Sequence, residues 1–156
     1  MEYKHLLDRA KQEKKANRKF LQRIKKQKDL DQVFHEKHEE VFREIDCLAC
    51  ANCCKTTSPI FKETDIKRIA KNLRVKPQAF IDEYLKLDDE NDYVLQSSPC
   101  TFLNDDNTCF IYDYRPQACR EYPHTDRKKM HQILNLTLEN TTVCPAVSEI
   151  VDRIKN

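Results

Sequence analysis

Apolar positions in the first 45 residues recur at helical intervals. Leu6 and Ala10 are followed by Phe20 and Ile24, then by Phe34, Val41 and Ile45, with Leu7, Leu21, Leu30, Val33 and Phe42 alongside. Steps of three, four and seven put these side chains on one stripe of an amphipathic helix. Neither Pro nor Gly interrupts the segment, so one or two long helices are predicted over residues 3–45. The segment reads as an N-terminal helical arm.

Shorter elements follow. Ile66, Ile69, Ala70 and Leu73 stand at i, i+3, i+4 and i+7 with Thr64 as N-cap, which predicts a helix over 65–73. Pro77 suits the first position of a second helix running through Phe80, Ile81, Tyr84 and Leu85. The acidic residues 88–92 read as a loop. Residues 100–112 read as a hairpin in which 103 pairs with 108 and 102 with 109, placing Cys100 and Cys109 diagonally on one face. A short helix is predicted from Pro116 to Tyr122, and a strand where Leu134, Leu136 and Leu138 alternate. Val147, Ile150, Val151 and Ile154 predict a closing helix. The expected fold is α+β and mostly helical, with the arm over 1–45 and a small cysteine-cluster domain over 46–156.

Composition sharpens this picture. Hydrophobic residues make up 39% of the 156 and charged residues 35%, against roughly 45–50% and about 25% in a typical domain. The core is modest, and some charge belongs to an extended, solvated element. Glycine is absent altogether, which excludes phosphate-cradling loops, dinucleotide fingerprints and nucleophile elbows. Backbone positions that require positive φ are expected to use Asn or Asp. Net charge is +2, yet residues 9–28 hold ten basic side chains and one acid, Glu13. That run reads first as a solvated helix face, with attachment to RNA or an acidic partner as the alternative.

Eight cysteines carry the candidate chemistry. Cys47, Cys50, Cys53 and Cys54 fall within eight residues, and a two-residue spacing lets both thiolates reach one metal ion. The run also matches the spacing that holds iron–sulfur clusters. Cys53 and Cys54 are adjacent, so their side chains are expected to diverge toward different ions or different irons. Cys100, Cys109, Cys119 and Cys144 complete a set sufficient for two four-coordinate sites, or one site plus reactive thiols. No leader-like run opens the chain and no segment approaches a membrane span. A reducing cytoplasm is therefore expected, where clustered cysteines bind metal rather than form disulfides. The cofactor is zinc or iron, as mononuclear ions or an iron–sulfur cluster.

Around the thiols, Arg115, Cys119 and Tyr122 are expected on one face of the short helix, flanked by Arg120 and His124. The guanidinium groups would offset thiolate charge and donate to sulfur, with pairing of Arg115 to Asp113 as the alternative. His124 is a surface residue in one reading and a ligand in another. His5, His35, His38 and His131 show no ligand spacing, and no catalytic residue is assigned.

Cys47–Cys54, Thr64–Ala70, Phe80–Tyr84, Pro99–Leu103, Cys109–Pro123 and Cys144–Pro145 together resemble the CxxCxxCC family of zinc- or iron-chelating, YkgJ-like cysteine-cluster proteins. The resemblance covers residues 46 to 146 and leaves the arm outside. Members often carry Gly after the second cysteine and in the first helix–helix turn, places held here by Ala51 and Arg74, which implies a stiffer loop. The resemblance implies a metal-binding domain, sometimes labelled an iron–sulfur oxidoreductase, with related domains in flagellin lysine methylases. It implies no settled reaction. Three readings follow: a metal-stapled binding module, an iron–sulfur oxidoreductase or electron carrier, and an adaptor whose basic arm binds RNA or an acidic protein. The arm is also a candidate surface for a protein partner or self-association.

Overall fold

The computed structural model describes residues 3–156, apart from the side chains of residues 48 and 49. Residues 1 and 2, where the expected arm begins, lie outside the described residues. Helices dominate, and one two-stranded antiparallel sheet completes the α+β architecture. The chain divides into two compact units, residues 1–50 with 123–156, and residues 51–122. No described helix is long and apolar enough to cross a membrane.

The first unit contains α1 (Lys4–Gln12), α2 (Lys14–Ile24), α3 (Leu30–Glu44), the short α4 (Cys47–Cys50), α9 (Leu134–Thr141) and α10 (Pro145–Lys155). The arm is three helices rather than one or two, with breaks that let each segment meet the C-terminal helix. Ser148 Oγ donates to the Leu6 carbonyl at 2.8 Å, and Arg9 pairs with Glu149 at 3.0 Å. Lys155 pairs with Glu13 at 3.2 Å and donates to Asn17 at 2.9 Å. Phe20, Phe34 and Val41 share a core with Met130, Val147, Ile150 and Val151, while Ile24 packs at its margin.

Residues 134–141 form α9 and not the strand that alternating leucines suggested. Helical spacing buries Leu134, Thr137, Leu138 and Thr141 together and leaves Leu136 exposed. A strand would instead put all three leucines on one face. The Thr137 and Thr141 hydroxyls donate to the carbonyls of Ile133 and Leu138, so burial leaves neither unsatisfied.

The second unit is built from α5 (Asn52–Thr56), α6 (Glu63–Leu73), α7 (Pro77–Tyr84), β1 (Leu85–Leu87), β2 (Tyr93–Leu95) and α8 (Gln117–Glu121). Its core gathers Phe61, Ile66, Ile69, Phe80, Phe102 and Ile111. Tyr84 meets Phe80 and Phe102 at tilted angles, with ring centroids 5.2 and 5.1 Å apart, while the Phe80 and Phe102 rings stack at 6.2 Å.

Three boundaries differ from expectation. α6 starts at Glu63 because the Asp65 carboxylate accepts the Lys62 N–H at 2.9 Å, placing Thr64 inside the first turn. Leu85 leaves α7 to pair with Leu95 in the sheet. The expected hairpin over 100–112 contracts to one bridge, Leu103 with Cys109, a residue out of the predicted register. A longer turn accounts for the shift: Asn104 N–H donates to the Thr108 carbonyl at 2.8 Å, with Asn107 left-handed.

Asn91 and Asn107 take positive φ as expected, but so do Ala51, Arg74, His124 and Lys129. Ala51 and Arg74 are the two positions where the sequence resemblance implies glycine. Each holds a conformation that is costly for a residue with a Cβ.

Candidate metal centre

In the second unit the thiols come from three separate stretches. Cys53 and Cys54 lie on α5, Cys100 and Cys109 flank the Asn104–Thr108 turn, and Cys119 lies on α8. The Cys100 N–H donates to the Cys54 carbonyl at 2.7 Å, which ties the first two stretches together. Cys100 and Cys109 also pack against the apolar core, so the sulfur cluster grows from its edge.

α8 has five residues and needs external anchoring. Asp65, 1% exposed, supplies it from α6. Its Oδ1 accepts the Gln117 N–H at 3.1 Å and an Arg68 guanidinium hydrogen at 2.8 Å. The same Arg68 donates to the Arg115 carbonyl at 2.9 Å. Asp65 and Arg68 thus hold the backbone leading into Cys119. Sequence reasoning did not single them out as site residues, although an acid at the third position of a helix was a readable capping signal.

The electrostatics show a shared thiol neighbourhood. Burial pushes Cys119 up to about 12, and the charges of Cys54, Cys100 and Cys109 add to the shift while Arg115 opposes it. Burial also raises Cys100, helped by Cys54 and Cys109, and raises Cys109, helped by Cys54. A hydrogen bond from Cys53 lowers Cys54 to about 7. The adjacent thiols therefore influence one another. One thiolate is tolerated here, and each additional one is resisted by burial and its neighbours. A bound cation reverses that balance, because it stabilises every thiolate at once.

The first unit carries a second thiol group. Cys47 and Cys50 belong to α4, and Cys144 caps the start of α10. Burial drives Cys144 up to about 12; N–H groups of Val147 and Ala146 oppose the shift, while Cys47 and Cys50 reinforce it. Among the described residues, no three His, Cys, Asp or Glu side chains are already closed around one point. The thiols share neighbourhoods, not a fixed coordination geometry. The donor set still fits a thiophilic cation: soft sulfurs, gathered and partly dehydrated.

Arg115 acts on the thiols, but not from a common face with Cys119 and Tyr122. It precedes α8, donates to the Tyr112 carbonyl at 2.7 Å and lies 4.0 Å above the Tyr112 ring. Its charge lowers both Cys109 and Cys119. Tyr122 is the extended residue ending α8, and Arg120 is exposed. His124 belongs to the first unit, with a left-handed backbone. No ion pair joins Arg115 to Asp113 among the described residues, since the guanidinium is committed to Tyr112.

A family model, CxxCxxCC, described as "Putative zinc- or iron-chelating domain", matches residues 46–145. That span includes all eight cysteines. No curated protein and no solved structure matches the chain. Metal binding by the cysteine cluster is what the thiol chemistry and the family share, and the chain belongs to the CxxCxxCC family.

Proposed function

We propose that the chain is a metal-stapled binding module in which Cys54, Cys100, Cys109 and Cys119 hold one zinc or iron ion. The observation that carries this reading is geometric: the Cys100 N–H donates to the Cys54 carbonyl at 2.7 Å and Cys109 flanks the same turn, and the charges of all three act on Cys119. Four thiolates fill a tetrahedral shell and leave no open position, the donor set of a structural site. Bound there, the ion supplies charge neutralisation and cross-linking of three stretches that make few regular backbone bonds. Arg115 offsets part of the excess negative charge, and Cys53 supports Cys54 by donating to its sulfur. Cys47, Cys50 and Cys144 form a second group, whose three thiolates leave one tetrahedral position to another donor. Nothing in either group supplies an acid–base pair, and no reaction is assigned.

The test is metal analysis of full-length protein purified without oxygen, paired with its absorption spectrum. A colourless protein that loses the same equivalent in Cys54→Ser, Cys100→Ser, Cys109→Ser and Cys119→Ser supports the reading. A brown protein with acid-labile sulfide replaces it with the electron-carrier alternative. Full metal content in all four variants overturns it.

A further inference from the structure

The exposed end of the basic run borders a groove. In the first unit, the end of α2 and the turn before α3 face the 129–135 segment across two adjoining depressions of about 210 and 260 Å³. Arg18, Lys25, Lys26, Lys28, Lys129 and His131 line them, and both depressions include Lys25 and His131. They form one groove with cations along its length.

Some cations elsewhere in the unit are paired, whereas those of the groove are not. Arg9, Lys14, Arg153 and Lys155 each have a carboxylate partner. Among the described residues, no carboxylate lies within ion-pair distance of Arg18, Lys25, Lys26, Lys28 or Lys129. The acid in the groove wall, Asp31, is turned to the backbone: its oxygens accept the Lys129 and Met130 N–H groups at 2.8 Å each. That clamp holds Lys129 at φ 59° and ψ 50°. A left-handed lysine, over-determined by its surroundings and set among unpaired cations, is the strain expected of a binding turn.

We propose that this groove binds the phosphate backbone of a nucleic acid, recognising charge and not sequence. Cations spread along two depressions suit successive phosphates of one chain, whereas a single phosphate calls for donors converging on one point. The floor is Leu21, Leu30, Leu134 and Leu138. Apart from His131 no aromatic ring lines the groove, so base stacking has no platform. A membrane surface is disfavoured because Leu136 is the one large exposed apolar side chain of this unit among the described residues.

The test uses the full-length, metal-loaded chain with a labelled single-stranded RNA and the DNA of the same sequence, titrated across salt concentration. Binding should weaken linearly in log–log form as salt rises. In Lys25→Gln/Lys28→Gln/Lys129→Asn, three lost contacts at about fivefold each should weaken binding roughly a hundredfold at ~0.1 M salt and flatten the slope by about two. Asn at 129 keeps the left-handed turn accessible. Arg18→Gln, outside that turn, should weaken binding by one contact and serves if the triple variant fails to fold. Lys67→Gln/Lys71→Gln on α6 should change nothing. Tighter RNA or tighter DNA names the source of the phosphates, and equal binding supports backbone recognition. No binding at low salt, unchanged slopes in the groove variants, or competition by poly-glutamate equal to that by RNA overturns the proposal.

Discussion

In the first unit, helices of eleven, fifteen, eight and eleven residues meet over one apolar core, and Cys144 packs at its margin. In the second unit, α6 and α7 carry much of the core, while the stretch holding Cys100, Cys109 and Cys119 has a single bridge, a turn, one 3-10 turn over Tyr112–Tyr114 and the five-residue α8. Long helices bury enough surface to hold their own backbone bonds, whereas elements this short do not. The comparison teaches where a metal matters most. On the proposed assignment, a metal in one unit would join a core already built from helices, and in the other it would join loops with little else to fix them.

Metal removal should therefore separate the two units more than any other change. Structural zinc contributes roughly 10–16 kcal/mol in small metal-dependent domains, comparable to the whole ~5–15 kcal/mol stability of a typical fold. After chelation, amide exchange should rise across residues 99–122 and around α5, while α3 and α10 keep their protection. Equal loss in both units would break the comparison, and no change in either would remove metal dependence altogether.

Two core phenylalanines sharpen the contrast from the packing side. Phe34 and Phe80 are both fully buried, one in each unit. Phe34→Ala and Phe80→Ala should each cost about 3–5 kcal/mol, seen as lower denaturant midpoints. Exchange should locate the first loss in α3 and α10 and the second in α6 and α7. With Phe80→Ala, metal retention should also fall, because Cys100 and Cys109 rest on that core.

Asp65 tests the link between core and thiols. Burial works to raise its pKa, but Arg68 and the N–H groups of Lys62 and Gln117 outweigh it and leave the carboxyl below its ordinary value. Its folded-state pKa lies below the unfolded ~3.9, so its stabilisation is complete above about pH 4 and is lost as pH falls through the folded value. Asp65→Ala should cost about 3 kcal/mol at neutral pH by stranding Arg68 and freeing the start of α8. Below pH 4 the gap between variant and wild-type melting temperatures should narrow. A gap that widens on acidification would refute the assignment.

Much of this was legible in the sequence. The apolar stripe through Phe20, Phe34 and Val41 announced the helices, because burial of one face is what sets a 3.6-residue period. The thiol group was legible from spacing alone. Less legible was what long-range contacts decide. Leu134, Leu136 and Leu138 alternate like a strand, but the environment of Thr137 and Thr141 selects a helix. Arg115 was expected on the helix of Cys119, yet Tyr112 stacking and Arg68 hold it outside. Asp65 binds Gln117 across 52 positions, a contact no local pattern encodes.

The smallest expected effect concerns two left-handed residues, one taken from each unit. Arg74 ends α6 at φ 59°, its N–H meeting the Ala70 and Lys71 carbonyls in the usual glycine position of a helix terminus. Lys129 holds φ 59° as well, but its N–H is gripped by Asp31 in the basic groove. A Cβ in this conformation costs roughly 1–2 kcal/mol, and glycine's larger unfolded-state freedom returns about half of that. Arg74→Gly should therefore stabilise the chain by up to about 1 kcal/mol, a gain of ~2–4 °C in melting temperature at this size. Lys129→Gly should give a similar thermal gain, because the strain relieved is the same. If the proposed groove binds phosphates, the two should differ: Arg74→Gly should leave nucleic-acid affinity untouched, while Lys129→Gly should lower it by one phosphate contact. If Lys129→Gly gains stability with no loss of affinity, the strain there is a packing accident and the groove loses its strongest local support. If neither substitution raises the melting temperature, both left-handed turns are held by their surroundings at no net cost.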